Sequence, residues 1–267
     1  MMISRGFTLI ELVIVMVIMG IVSVFSIKFI THSVQIYRQG ADREQLMSDV
    51  RFGLERLNRE VRNAVPGSLR IENGAAETEP VSCVSFWPIT TAGRYTAIVY
   101  HPLEDNTTVT LPFFVPEDGS TRDWKNNWII INPLGLDAST QTCNTGYDCA
   151  ILIENEPKVE MVNQLIFSFT SNPKFSYSPT QRVYFALEQV RYCIAQGELT
   201  RTIVAINENI PESIKPILMA KHISSGKFLG DANESPDLYS TLSVDLIVSK
   251  NNESIDFRHK IRLYNAP

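Results

Sequence analysis

Glu11 is a carboxylate inside an apolar run, and its chemistry asks first for an explanation. From Leu12 to Ile27 the chain reads LVIVMVIMGIVSVFSI without a charge, and Phe7-Thr8-Leu9-Ile10 extends that run backwards past Glu11. A charge held in lipid costs about 3 kcal/mol or more unless it finds a partner. Glu11 therefore calls for a cation within the membrane, or for a place close enough to the interface to reach water. The remaining chemistry-bearing residues are more loosely arranged. Asp231, Asn233 and Asp237, in Asp231-Ala232-Asn233-Glu234-Ser235-Pro236-Asp237, have the spacing of calcium ligands. They lack the glycine and the closing bidentate Glu of an EF-hand loop, so a solvated polar turn is favoured over a metal site. His32, His101, His222 and His259 are scattered, and no G-x-S-x-G, H-E-x-x-H or G-x-x-x-x-G-K-[ST] occurs. Trp87, Trp124 and Trp128 with Phe113 and Phe114 form a loose aromatic group, for which core packing is the expected use. No catalytic set and no cofactor is read from the sequence.

The elements that must position Glu11 begin with a membrane span. Phe7 to Ile30 is 24 residues, roughly 36 Å of helix, enough to cross a hydrocarbon core of about 30 Å. A cleaved secretory signal has a shorter apolar core, of about 7–15 residues, and a small-residue cleavage site after it. Arg5 is the only basic residue ahead of the span, so the positive-inside bias keeps the first residues cytoplasmic and sends the rest outward. Beyond the span, Leu46, Val50, Gly53/Leu54, Leu57, Val61 and Ala64/Val65 recur at steps of three or four among charged residues, an amphipathic helix that Pro66-Gly67 stops. Glu55 and Arg59 are placed for an i,i+4 pair.

From residue 68 the pattern turns to short β-rich runs between Pro, Gly, Asn and Asp clusters. Strands are expected at Val81–Pro88, Tyr95–Tyr100, Thr107–Val115, Trp128–Ile131, Gln164–Phe169, Gln181–Ala186, Val190–Ala195, Leu199–Ala205, Leu242–Val248 and Ser254–Tyr264. The fold class is α+β, a long N-terminal helix packed on a mainly antiparallel head. The division is residues 1–6, 7–30 (span), 31–65 (amphipathic extension) and 66–267 (head). Charge divides with it. Residues 1–65 hold eight Lys/Arg against six Asp/Glu, +2, while the remainder hold sixteen against twenty-three, −7. A head at −7 repels a polyanion, so no nucleic-acid partner is expected. The net charge of −5 with 20% charged residues excludes disorder, and a mean hydropathy of −0.02 excludes a protein of many spans.

The run Arg5-Gly6-Phe7-Thr8-Leu9-Ile10-Glu11-Leu12 resembles the cleavage and methylation signature of type IV prepilins and type II secretion pseudopilins. The resemblance implies that a prepilin peptidase cuts the six-residue leader between Gly6 and Phe7 and N-methylates Phe7. It implies that Glu11, fifth in the mature chain, pairs with the terminal amine of a neighbouring subunit, supplying the cation that the physical argument requires. The implied partners are other pilins in a helical filament, the peptidase, an inner-membrane assembly platform and lipid. The implied location is a single-pass inner-membrane protein with a periplasmic head that passes into a filament. A head of about 200 residues suggests a minor subunit near the tip. Residues 41–46 and 51–66 and the closing Ile261–Pro267 look like an O-type minor pilin of the mannose-sensitive hemagglutinin pilus system. A type II secretion pseudopilin of the J subfamily and a tip adhesin are the alternatives.

A head outside the cytoplasmic membrane lies in an oxidising compartment, where its four cysteines are expected to form two disulfides. Three pairings are allowed. Cys143 and Cys149 lie six apart across a Gly-containing turn and are paired locally, which leaves Cys83 with Cys193, both in expected strands. No C-x-x-C occurs and no His lies near a Cys, which weighs against zinc.

Overall fold

A computed structural model describes residues 8–74, 81–104, 106–112, 123–133, 148–160, 164–206, 214–230, 241–251 and 253–263. The chain opens with one helix, α1 (Leu9–Arg62), about 81 Å long at about 1.5 Å per residue. Its two halves have different surroundings. Every residue from Thr8 to Ala41 is exposed, while Leu46, Val50, Gly53, Leu54, Leu57 and Val61 are buried. These are the positions marked by the three-and-four periodicity. Val50, Leu57 and Val61 are fully covered, and each contributes about 1.5–3 kcal/mol of transfer free energy. The helix closes at Arg62, where the Asn63 N–H donates to the Glu60 and Val61 carbonyls. Ala64 and Val65 stay buried beyond it, and Gly67 takes φ +76°, which a β-carbon would resist.

Sixteen strands follow among the described residues: β1 (Arg70–Asn73), β2 (Ser82–Phe86), β3 (Thr91–Arg94), β4 (Ala97–His101), β5 (Asn106–Pro112), β6 (Trp128–Ile131), β7 (Ala150–Leu152), β8 (Lys158–Glu160), β9 (Gln164–Phe169), β10 (Arg182–Ala186), β11 (Glu188–Ala195), β12 (Glu198–Ala205), β13 (Ile217–Ala220), β14 (Ile223–Gly230), β15 (Thr241–Lys250) and β16 (Glu253–Arg262). All their pairings are antiparallel. The expected head sheet is divided into four, in the orders β1-β2-β11-β12-β13, β14-β15-β16, β3-β10-β6-β7 and β4-β5-β9-β8.

Two of these sheets form a platform for the helix. Val84, Phe86, Val190, Tyr192 and Leu199 of the first, with Phe228, Val244, Leu246 and Ile261 of the second, share one core with the buried stripe of α1. The β11–β12 hairpin turns through Gln196 and Gly197, both at positive φ, as a two-residue turn matching strand twist requires. Two glycines allow close approach. A β-carbon on Gly53 would lie 3.2 Å from Leu199 Cδ2, and one on Gly226 would lie 2.6 Å from Leu246 Cδ2.

The other two sheets lie wholly between β2 and β11 in sequence, an insertion into the platform. Tyr95, Val109, Leu111, Ile129, Ile131, Phe167, Val183 and Phe185 make its own core. A third, smaller cluster of Val65, Trp87, Ile130, Cys149, Tyr184, Ala186 and Ile206 forms the joint with the platform. Strands β2 and β11, where the chain leaves and re-enters the platform, are themselves paired.

Candidate functional site

Glu11 sits in the first turn of α1, and Thr8 caps that turn by accepting the Glu11 N–H at 3.4 Å through its hydroxyl. A threonine three residues ahead of an acid is a helix-start pattern, and an anion there is favoured by the helix dipole. The Glu11 carboxylate makes no hydrogen bond or ion pair within the described residues. From Leu9 to Ala41 the helix projects about 50 Å clear of the head. Its apolar residues, from Leu9 through Ile30 to Val34, Ile36 and Tyr37, are exposed. Gly6 and Phe7 lie outside the described residues.

The point at which the helix leaves the head is clamped by polar groups. Lys250 Nζ lies 2.9 Å from Asp42 Oδ1 and donates to Gln45 at 2.9 Å. Asn251, at the β15–β16 turn, donates to Asp42 at 2.8 Å, and this bond together with Lys250 holds the Asp42 carboxyl below its ordinary range.

Deeper in, Glu60 is the charged residue that α1 turns toward the platform. Its carboxylate accepts from Tyr192 Oη at 2.8 Å, from Arg201 Nε at 3.0 Å and from Arg56 Nε at 3.1 Å. Arg201 is itself buried, with 6% of its side chain exposed. Burial pushes the Glu60 carboxyl up, but the hydrogen bonds from Arg201, Tyr192 and Arg56 outweigh it and hold the carboxyl below the usual range. Burial and then the Glu60 charge push the Tyr192 phenol up. The expected pair Glu55 and Arg59 is exposed on both members, and the ion pair formed is Arg56–Glu60. Sequence reasoning passed over Glu60, although its place three residues after Leu57 and one before Val61 puts it beside the apolar stripe.

The structure brings Cys83 and Cys193 together as a disulfide between directly opposed residues of β2 and β11. Cys149 is also disulfide-bonded, and its expected partner Cys143 lies outside the described residues. Asp231, Asn233 and Asp237 lie outside them too. Among the described residues no group of three His, Cys, Asp or Glu is placed to hold a metal. The histidines are apart: His32 is exposed on α1, His101 lies 3.3 Å from Thr108 Oγ1, His222 gives its carbonyl to Ser249, and His259 is half-buried on β16. The aromatic group is split. Trp87 pairs with Trp128 at 6.3 Å in the joint, and Trp124 meets Phe185 at 4.7 Å in the inserted core. Phe113 and Phe114 lie outside the described residues.

Residues 1–27 match the model for the prokaryotic N-terminal methylation motif. No curated protein and no solved structure gives a significant match to the chain. The motif supports a type IV pilin-like protein, a structural subunit anchored in the inner membrane, processed by a prepilin peptidase and assembled with other pilins.

Proposed function

We propose that the chain is a non-enzymatic minor pilin of a type IV pilus, of the mannose-sensitive hemagglutinin kind. In this reading residues 1–6 are a leader and residues 7–30 span the inner membrane. Residues 31–65 extend the same helix, and residues 66–267 form a periplasmic head bearing the disulfides Cys83–Cys193 and Cys143–Cys149. The peptidase cuts between Gly6 and Phe7 and methylates the new terminus. One observation carries the reading: a capped helix whose apolar half stands free of its own head, with a carboxylate in its first turn that has no partner among the described residues.

Cutting after Gly6 creates an amine four residues from Glu11. In the membrane, and later in the filament, that amine on a neighbouring subunit neutralises the carboxylate, and the exposed Leu9–Ile30 surface is covered by the neighbours' helices. Such contacts use different faces on each partner, so the assembly extends rather than closes. A tip adhesin is the second reading, favoured by the inserted sandwich, which adds a separately cored unit to the platform. A type II secretion pseudopilin of the J subfamily would use the same helix, and the genes on either side distinguish it from a pilus subunit.

The test is Glu11→Ala. Membrane insertion is expected to be unchanged, since the substitution only makes the span more apolar. The fraction of the chain in sheared filaments is expected to fall severalfold, read by immunoblot against the membrane pool. Undiminished incorporation overturns the pairing role.

A further inference from the structure

We infer that Lys28 is a second assembly charge, pairing with a carboxylate on the α1 helix of a neighbouring subunit. Between Glu11 and Arg38, Lys28 is the only Lys, Arg, Asp or Glu in the chain. It lies in the part of α1 that stands clear of the head, with exposed Ile27, Phe29 and Ile30 beside it and exposed Val34, Ile36 and Tyr37 beyond it. Tyr37 is nine residues on, about 14 Å along the helix, farther than a lysine stem reaches. In the membrane the ammonium extends to the lipid phosphates, but once neighbouring helices cover this surface it no longer reaches water or lipid. A charge buried among apolar side chains is strongly destabilising unless an opposite charge meets it. Its own helix supplies none, since the positions three and four away are Val24, Phe25, Thr31 and His32. Among the described residues the Lys28 side chain makes no hydrogen bond or ion pair.

The charges along α1 point to where that carboxylate lies. Subunits that enter the membrane from the same side pack their helices parallel in the filament. Glu11, Lys28 and Glu44 follow one another at intervals of 17 and 16 residues with alternating sign, about 26 and 24 Å at about 1.5 Å per residue. Parallel helices displaced by that amount bring Lys28 level with Glu11 of one neighbour and with Glu44 of another. Glu44 is exposed and, like Lys28, has no opposite charge three or four residues away on its own helix. A carboxylate accepts several donors, so Glu11 holds both a neighbour's terminal amine and Lys28. Per subunit the amine, Glu11, Lys28 and Glu44 sum to zero charge, and a regular assembly leaves none of the four unpaired. The partner this fits is a parallel apolar helix with one acid in its first turn and another 33 residues later, the pattern that a second copy of this chain carries. The inference rests on the reading of the chain as a filament subunit.

The test treats sheared filaments and membranes with a membrane-permeant carbodiimide, which joins an amine to a carboxylate in contact, and reads the linked peptides by mass spectrometry. Lys250 and Asp42, 2.9 Å apart within one chain, are the internal control. Lys28 is expected to be linked to an Asp or Glu of another subunit's N-terminal helix in filaments and to be unlinked in membranes. Lys28→Met is expected to lower the filament fraction severalfold with the membrane pool unchanged, and Lys28→Glu to lower it further. Lys28→Arg keeps the cation and is expected to restore incorporation. Lys125→Met, on the inserted sandwich, is expected to incorporate as the parent does. Lys28 left unlinked where Lys250 and Asp42 are linked overturns the inference, as does normal incorporation of Lys28→Met. Loss of Lys28→Met from membranes and filaments alike also overturns it and assigns the lysine to lipid phosphates. A parent chain absent from sheared filaments refutes the filament reading itself, whereas a parent present there with Lys28 unlinked refutes this pairing alone.

Discussion

Replacing Glu60 by Leu removes the acceptor for three donors at once. Arg56 keeps a third of its side chain in water and can rehydrate, but Arg201, with 6% exposed, cannot. An uncompensated buried charge costs about 3–5 kcal/mol, and because Glu60 itself retains 16% exposure the lower end, about 3 kcal/mol, applies. For a head of this size that corresponds to a fall in Tm of about 6–12 °C. Arg201→Met alone leaves Glu60 with Arg56 and Tyr192 and is expected to cost less, about 1–2 kcal/mol. The double variant Glu60→Leu/Arg201→Met is expected to be more stable than Glu60→Leu, because no buried charge is then left unpaired. The contribution also has a pH sign. The folded Glu60 carboxyl lies below its unfolded value, so its stabilisation is fully present above the ordinary carboxylate range and is lost as pH falls through the lowered folded value. The assay is thermal unfolding by circular dichroism of the full chain at pH 7 and pH 3. Single variants that melt within about 2 °C of the parent, or a double variant whose loss equals the sum of the singles, would refute the network as the polar lock between helix and sheet.

Cys83→Ser with Cys193→Ser opens a link across a sequence separation of 110 residues, and the loss is expected to be about 2–5 kcal/mol. Reductant should reproduce that loss in the parent protein and leave no further loss from this bond in the variant, as differential scanning calorimetry would show. Gly226→Val places carbon where Leu246 Cδ2 and Ile194 already lie, and a loss of about 1–3 kcal/mol by urea unfolding is expected.

The helix was legible because its signals are local. An uncharged run read as a span, and apolar residues three and four apart from Leu46 to Val61 read as a buried stripe. Strands β11 and β12 were legible for the same reason, since they alternate and flank a turn at Gln196-Gly197. What escaped was short or non-local. Strands β1, β3, β7 and β8 have three or four residues each, too few for a period to appear. In β14, Ser224-Ser225-Gly226-Lys227 lacks the apolar alternation of its neighbours, because Gly226 packs with no side chain beneath Leu246. The insertion itself was not legible, since nothing local marks β2 and β11, more than a hundred residues apart, as partners; the expected Cys83–Cys193 pairing was the signal that joined them. At the N-terminal end, the methylation motif that residues 1–27 match was legible in the run from Arg5 to Leu12. The Thr8 cap could have been read from a threonine three residues before an acid, and Glu60 from an acid lying beside the apolar stripe.

The processed N-terminus tests the account most directly. Mass spectrometry of the terminal peptide from membranes and from sheared filaments is expected to find a chain that begins at N-methylated Phe7 and lacks residues 1–6. Gly6→Val is expected to leave the full leader in place and the chain in the membrane fraction. A chain that still begins at Met1 in filaments, or one cut beyond the apolar run, would contradict it.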